Sequence, residues 1–506
     1  MDYKLNKTMM RKISLILLVI ASTTAGIFAQ TVNDALRYSQ VFYTGSARFM
    51  SMGSAFTALG GDLSTLSQNP AGLGVFRSSE VSVSPQLFHI NTIASFGSDT
   101  EEDYIYEFNV PQAGIVASLL RRKSESGFTT LNFGYSFNQT NNLNQRINIR
   151  GISNNSSLLD YWTEISDGFY HDQLASEAAD AFLAYDVWLI DTLSGSNINY
   201  GTVYSNYGDE YPSVYGQTVQ RLIETEGYTN EHAISFGGSY ADKLFFGATL
   251  GITRLNYKHK YEHTESTEAD LSSLFTDFNY TYYYDNIGTG YTFKLGAIYR
   301  PVESFRIGLA FHSPGLFRIN EYVNDNITSH FSDVAVPYES SNDAVRYNYA
   351  LTTPFRVLAG AAVQIKKLAL ISFDYEFIDY STAKFSETGD GYNYSAKNQA
   401  IRNSLKPVSN FRLGAEARLN NLYFRGGYGY YGRPWKGDEL NSDQDYNSYS
   451  LGAGFREKAI FVDFGFTRLT NPDNYLLYDA EIEAPMSYMS VNRSIFTITF
   501  GYKFGL

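Results

Sequence analysis

Apolar and polar residues alternate along this chain many times over, and few architectures tolerate that. Over residues 411–419 every odd position is apolar and every even one polar or glycine; 449–456 repeats the scheme cleanly and 355–365 less strictly. Alternate residues of a strand point to opposite faces, so each run makes a ribbon with one greasy and one polar side. A soluble sandwich with its greasy face inward gives the same pattern as a membrane barrel with that face outward. The connections separate the two. Strands are expected near 79–94, 107–121, 127–146, 230–240, 243–263, 288–300, 304–322, 346–365, 368–385, 407–419, 422–434, 446–457, 460–470 and 493–506. Short links at 122–126, 241–242, 301–303, 366–367, 420–421 and 458–459 alternate with long ones at 95–106, 147–229, 264–287, 323–345, 386–406, 435–445 and 471–492. Tight turns at one end and long loops at the other suit an outer-membrane barrel whose turns face the periplasm. The expected fold is therefore all-β, a fourteen-stranded antiparallel transmembrane β-barrel over 79–506 with partly helical extracellular loops.

The two chain ends agree. Lys4, Lys7, Arg11 and Lys12 precede an apolar run, Ile13 to Ala21, and Ile27-Phe28-Ala29 follows, so residues 1–29 read as a secretory signal peptide. At the other end Phe496, Ile498, Phe500, Tyr502, Phe504 and Leu506 share one face, as lipid contact requires. Thr499-Phe500-Gly501-Tyr502-Lys503-Phe504-Gly505-Leu506 resembles the C-terminal signal read by the barrel-assembly machinery. The chain is placed in the outer membrane of a Gram-negative bacterium, surrounded by lipid and lipopolysaccharide.

Composition removes several chemistries. With no cysteine there is no disulfide, zinc–thiolate site, iron–sulfur cluster or catalytic thiol. A net charge of −13 offers no general attraction for nucleic acid. None of the seven histidines has H-E-x-x-H spacing, and no phosphate loop or dinucleotide fingerprint occurs, so neither an enzyme nor a cofactor is expected. His259 and His263 share a face near the outer rim; exposed rim polarity is the expected reading, with a haem or metal contact the alternative.

Residues 30–78 do not read as membrane strand. Gly45-Ser46-Ala47, Gly53-Ser54-Ala55 and Gly60-Gly61 are interleaved with Met50, Met52, Phe56, Leu59, Leu63 and Leu66, a composition for close packing against an inner wall. The segment ends in Asn69-Pro70-Ala71-Gly72-Leu73 and resembles the N-terminal hatch of the FadL/TodX family of outer-membrane transporters for long-chain fatty acids and aromatic hydrocarbons. Some Bacteroidetes-type members carry the label haemin receptor. The resemblance implies a monomeric barrel plugged by a hatch in the lumen, hatch or gate roles for Asn69, Pro70, Ala71 and Gly72, and passive uptake of hydrophobic compounds with lateral exit. The motif is also similar to that of PorV-type barrels, so docking of secreted cargo or secretion machinery is the alternative.

Candidate ligand contacts are spread widely. Met50, Met52 and Phe56 lie in the hatch. In the 147–229 connection, helical stripes hold Leu158, Leu159, Trp162 and Ile165, then Leu174, Ala178, Phe182, Tyr185, Trp188 and Leu189, then Val219, Leu222 and Ile223. A fourth stripe is Leu271, Leu274 and Phe275. Trp162, Phe182 and Trp188 are read either as an external apolar groove or as a self-packed cap. Arg412 and Arg425, on adjacent strands, could receive a carboxylate or belong to a neutralised charge ladder.

Overall fold

The computed structural model describes residues 30–122, 126–205, 214–267, 273–389, 391–437, 439–478 and 485–505; the leader read over 1–29 lies outside them. Its main body is a closed 14-strand antiparallel β-barrel. The strands are β1 Ser79–Phe96, β2 Asp99–Arg121, β3 Phe128–Asn142, β4 Gln217–Tyr240, β5 Leu244–Ser266, β6 Phe275–Val302, β7 Phe305–His312, β8 Arg356–Ile365, β9 Ala369–Asp379, β10 Pro407–Leu419, β11 Leu422–Tyr431, β12 Tyr446–Glu457, β13 Ile460–Leu476 and β14 Met486–Phe504. Each pairs with its chain neighbour, and β1 also pairs with β14 from Ser79↔Phe504 to Ser95↔Tyr488, which closes the ring. Closure removes the open sheet edges that lipid cannot satisfy.

The barrel is inside out relative to a soluble β-domain. On β14 Phe496, Ile498, Phe500 and Tyr502 are exposed while Thr497 and Thr499 are buried. Tight turns fall where expected: Ala241, Asp242, Lys366, Asn420 and Lys458 adopt φ of 51–56°, the left-handed geometry that matches the twist of paired strands.

The long connections differ from expectation. Residues 95–106 are not a loop but the tip of the β1–β2 hairpin, turning at Gly97 (φ 61°). Much of 264–287 and 471–492 is strand as well, since β6 starts at Phe275, β13 runs to Leu476 and β14 starts at Met486. The reason shows on β5. Its outward row is Leu244, Phe246, Ala248, Leu250 and Ile252, then Arg254, Asn256, Lys258, Lys260 and Glu262. Above Ile252 the strand has left the bilayer, so the outward row turns polar and the hydropathy alternation fades while the ladder continues. Val219, Leu222 and Ile223 belong to β4 rather than a helix; spacing of four is shared by one helix face and one strand face, so the stripe was ambiguous. The fourth stripe falls partly on 268–272, outside the described residues, and Phe275 opens β6.

Residues 30–78 fold inside this wall as α1 Val32–Ser39, α2 Ala47–Ser51 and two 3-10 turns, Leu63–Ser67 and Pro70–Val75. Asp62 and Asn69 cap the two 3-10 turns with their own side chains. The wall receives the segment on a belt of glycines. Gly237, Gly247 and Gly296 are register neighbours on β4, β5 and β6, as are Gly308 and Gly360, Gly414 and Gly427, and Gly452 and Gly465 on the strands that follow. A Cβ at Gly247 would sit 2.2 Å from Pro70 O, at Gly308 2.1 Å from Thr57 O, and at Gly427 2.1 Å from Gly53 N. Gly426, the next residue on the outer face, would meet nothing closer than 3.8 Å.

These two neighbours make a controlled test. Gly427→Ala is expected to destabilise the folded barrel by about 1–3 kcal/mol through overpacking against the inner segment. Gly426→Ala should stay within about 0.5 kcal/mol of wild type. The midpoint of heat-modifiable gel mobility reads both; equal midpoints would remove the belt as a packing constraint.

Candidate functional site

The Asn69–Gly72 turn presses against β4, β5 and β6. Asn69 donates through Nδ2 to Thr57 O (2.6 Å) and accepts from Ala71 N (3.1 Å), so one side chain holds two stretches of the segment together. Gly72 packs where a Cβ would lie 2.5 Å from Thr65 Oγ1. Around them the wall reaches the segment's backbone: Lys294 Nζ donates to Ser67 O (2.8 Å), His312 Nε2 to Gln68 O (2.7 Å), Thr249 Oγ1 to Leu66 O (3.0 Å) and Asn132 Nδ2 to Leu73 O (2.7 Å). Met50, Met52 and Phe56 are buried in a cluster with Phe49, Leu59, Phe88 and Ile495, which makes them the apolar core between segment and wall.

Arg412 and Arg425 are both buried and both paired. Glu376 accepts from Arg412 and, at 2.9 Å, from Arg356, which also donates to Ser39 O. Glu416 accepts from Arg425 (2.7 Å) and from Arg48 of α2 (3.0 Å), and Arg425 reaches Asp463 at 2.7 Å. Asp374 accepts from Thr57 N (2.9 Å) and Oγ1 (2.7 Å). The inward charges thus bind the segment as much as one another. Arg412 keeps two N–H groups without a protein partner, between the rings of Tyr43 and Tyr431.

Above the segment the lumen holds a cavity of about 290 Å³. Phe42, Phe88, Trp435, Tyr446, Leu469 and Ile495 supply apolar wall, and two cations enter it, Arg37 and Arg493. Arg37 lies 4.5 Å over the Tyr257 ring and is paired with Asp34, whereas Arg493 Nε is buried with no protein partner. His259 lines the same cavity, stacked 4.9 Å from Tyr284. The exposed-rim expectation is therefore overturned for both histidines, since His263 is fully buried. Apart from His259, none of the cavity residues named here was singled out as a ligand contact from sequence, because they come from strands and helices more than 400 positions apart.

The outer end of the barrel carries a cap, α3 Leu158–Ser166, α4 Leu174–Glu177 and α5 Ala179–Asp186. The Ser157–Asp160 capping box starts α3. Glu265, at the tip of β5, fastens the cap: it accepts from Ser157 Oγ (2.6 Å), Leu158 N (2.8 Å), Tyr204 OH (3.1 Å) and His263 Nε2 (3.0 Å). Arg221 donates to His263 Nδ1 (3.2 Å), which leaves the histidine proton on Nε2 for Glu265. Trp162 is buried 5.1 Å from the Tyr280 ring and lines a cavity of about 210 Å³; Phe182 is half-buried and Trp188 half-exposed. Trp162 belongs to the self-packed core of the cap, and Trp188 stands at its surface. The helix α6 Ser395–Ser404, not expected from sequence, covers the other side through Ile401.

Comparison with known proteins supports the fold. The structure aligns with a Pseudomonas aeruginosa FadL homologue at 12% identity and TM-score 0.53, covering 92% of this chain and 100% of that one. A deltaS2 mutant of the TodX monoaromatic hydrocarbon channel aligns at 11% identity and TM-score 0.52, covering 91% and 98%. Residues 16–156 match the model of an uncharacterised protein family, UPF0164, and no curated protein sequence matches the chain. The barrel thus shares the fold of these FadL- and TodX-type barrels.

Two cap carboxyls respond to pH. Burial pushes Asp160 up to about 6, against donors from Ser157 and Tyr215, and burial beside Asp325 pushes Asp180 up to about 7. Acids raised in the folded state stabilise it fully below their ordinary range near pH 4 and lose that contribution as pH rises through 6–7. Protease resistance of the cap is expected to fall from pH 5 to pH 8, and Asp180→Asn should flatten the profile. A profile that rises with pH would contradict the assignment.

Proposed function

We propose that the chain is a passive outer-membrane transporter of hydrophobic compounds, with amphiphiles such as long-chain fatty acids as its substrates. The observation that carries this is the outer lumenal cavity: apolar and aromatic walls, the Arg493 guanidinium with an unpartnered Nε beside Asp473, and a side formed by residues 33–44. A greasy molecule fills such a space without leaving polar atoms unpaired, and an acidic head would give Arg493 its missing partner. Residues 30–78 act as the hatch, and the Asn69–Gly72 turn, seated on β4–β6, as its latch. Exit runs sideways, where three neighbouring strands break at one level: β7 stops at His312 before Pro314, β8 starts after Pro354, and β9 gives way to a 3-10 turn at Tyr380–Thr382. No chemistry or energy source is required, and the TodX comparison, a protein described as a monoaromatic hydrocarbon channel, is consistent with that.

Uptake of a labelled long-chain fatty acid tests the reading. Cells bearing the chain should take it up several-fold faster than cells without it, and Arg493→Gln should lower the rate at limiting substrate. Deleting residues 30–75 should abolish selectivity between a fatty acid and a small hydrophilic solute. Uptake independent of the chain would sink the transporter reading, and a parallel loss of secreted proteins would favour a docking role.

A further inference from the structure

A second cavity, of about 390 Å³, lies at the opposite end of the barrel, among the short turns. Its roof is the underside of the inner segment, Leu59, Gly60, Gly61 and Val75 to Ser78, and its walls are the turn-side ends of β1, β7–β12 and β14. In a chain of net charge −13, this space is lined by seven Lys and Arg side chains, one of them (Arg77) paired with Asp242 at 2.7 Å, against Glu80, Glu303 and Glu416. The three carboxylates do not neutralise it. Glu416 is already shared between Arg48 and Arg425, and Glu80 lies 3.6 Å from Lys503. Arg306 spends a donor on Leu59 O (2.9 Å) and Arg418 one on Asn420 O (2.9 Å), neither of which carries charge. Arg456 lies over the Tyr423 ring (4.8 Å) and the Phe461 ring (5.5 Å), its nearest acid, Asp463, is 3.9 Å away, and its Nε is buried with no protein partner.

A confined space of one sign, walled by protein, focuses its field and concentrates counter-ions. Guanidinium groups flattened on rings present their donor edges sideways, the orientation that meets a carboxylate or phosphate. Leu59, Val75 and Leu370 add an apolar wall beside the cations, and Val363 and Leu368 at the mouth are exposed on the lipid side. We propose that this turn-end cavity is a binding site for an amphiphilic anion, one carboxylate or phosphate head on an apolar chain. The ligand reaches it either free or as a head group of the adjoining leaflet. The site is separate from the outer cavity and does not depend on what crosses the lumen.

Calorimetric titration of the full chain in non-ionic detergent tests it, with octanoate, octyl phosphate, octanol and inorganic phosphate as probes. Octanoate and octyl phosphate should bind, and the Arg456→Gln/Lys503→Gln pair should weaken both at least tenfold, while Arg493→Gln in the outer cavity leaves this component unchanged. Lys367→Glu, at an exposed turn where folding is not at stake, should weaken binding in the same direction, and raising salt should weaken it further. Octanol binding as tightly as octanoate, inorganic phosphate binding as tightly as octyl phosphate, or charge variants that titrate like wild type would each overturn the proposal. In nanodiscs, competition by anionic but not zwitterionic phospholipid assigns the head group to the leaflet; equal titration in both assigns it to free amphiphile.

Discussion

The structure depends on how closely one peptide backbone can approach the inner face of a strand. A barrel of this strand number is too wide for its own side chains to fill, and left empty it would hold an aqueous hole. Residues 30–78 fill it, and they do so backbone to backbone, because the wall presents glycine where the segment crosses. Between glycines the wall presents short hydrogen-bonding groups instead. Thr499 Oγ1 accepts from Ala47 N (2.7 Å) and Ser450 Oγ from Gly53 N (3.1 Å). Removing the whole segment would expose all of these at once. The part above the belt is held differently: Ala35, Leu36 and Tyr38 of α1 pack in an apolar cluster with Leu255, Tyr257 and Tyr349, and Asn286 donates to Tyr38 OH (2.7 Å).

Charge follows the same division of labour. In a low-dielectric interior an unpaired ion costs several kcal/mol, so lumenal charges must be paired where water is absent. At belt level the pairs Arg48–Glu416 and Lys294–Glu231 are close and tied to the segment. Unpartnered donors remain on Arg412 and Arg425 of the wall as well as on Arg493 and Arg456, which adjoin the cavities above and below.

What could be read from sequence follows from where hydropathy and architecture coincide. Inside the bilayer the outward row must be apolar and the inward row polar, so β10, β12 and β14 were legible almost residue by residue. The glycine-rich composition of residues 30–78 was equally telling, because only close packing explains so many small residues beside Met50, Met52 and Phe56. Above Ile252 on β5 the rule lapses, and continuing strands looked like long loops. The matching glycines in the wall were visible but carried no sign of their partner, since a glycine in a strand equally marks a bulge or a bend. The cavity residues were the least legible. Arg37, Trp435 and Arg493 become neighbours only when the barrel closes, and no local pattern announces a closure.

The tall outer storey also changes what the 42 tyrosines are for. Lipid girdles account for exposed ones such as Tyr291, Tyr299 and Tyr502. Tyr257, Tyr280, Tyr284 and Tyr349 are instead buried inside the upper barrel, ring against ring, with Tyr257 5.7 Å from Tyr284 and Tyr280 5.9 Å from Tyr261. Phenylalanine would supply the same area but no tip that can hydrogen-bond, and at this height the wall meets α1, the cap and water at once. Tyrosine satisfies both demands: Tyr280 OH donates to Asp325 (3.1 Å) and Tyr349 OH to Glu321 (3.4 Å), while their rings pack. Tyrosine on the inner face of the outer storey thus answers to the packed interior, and not only to the membrane around it.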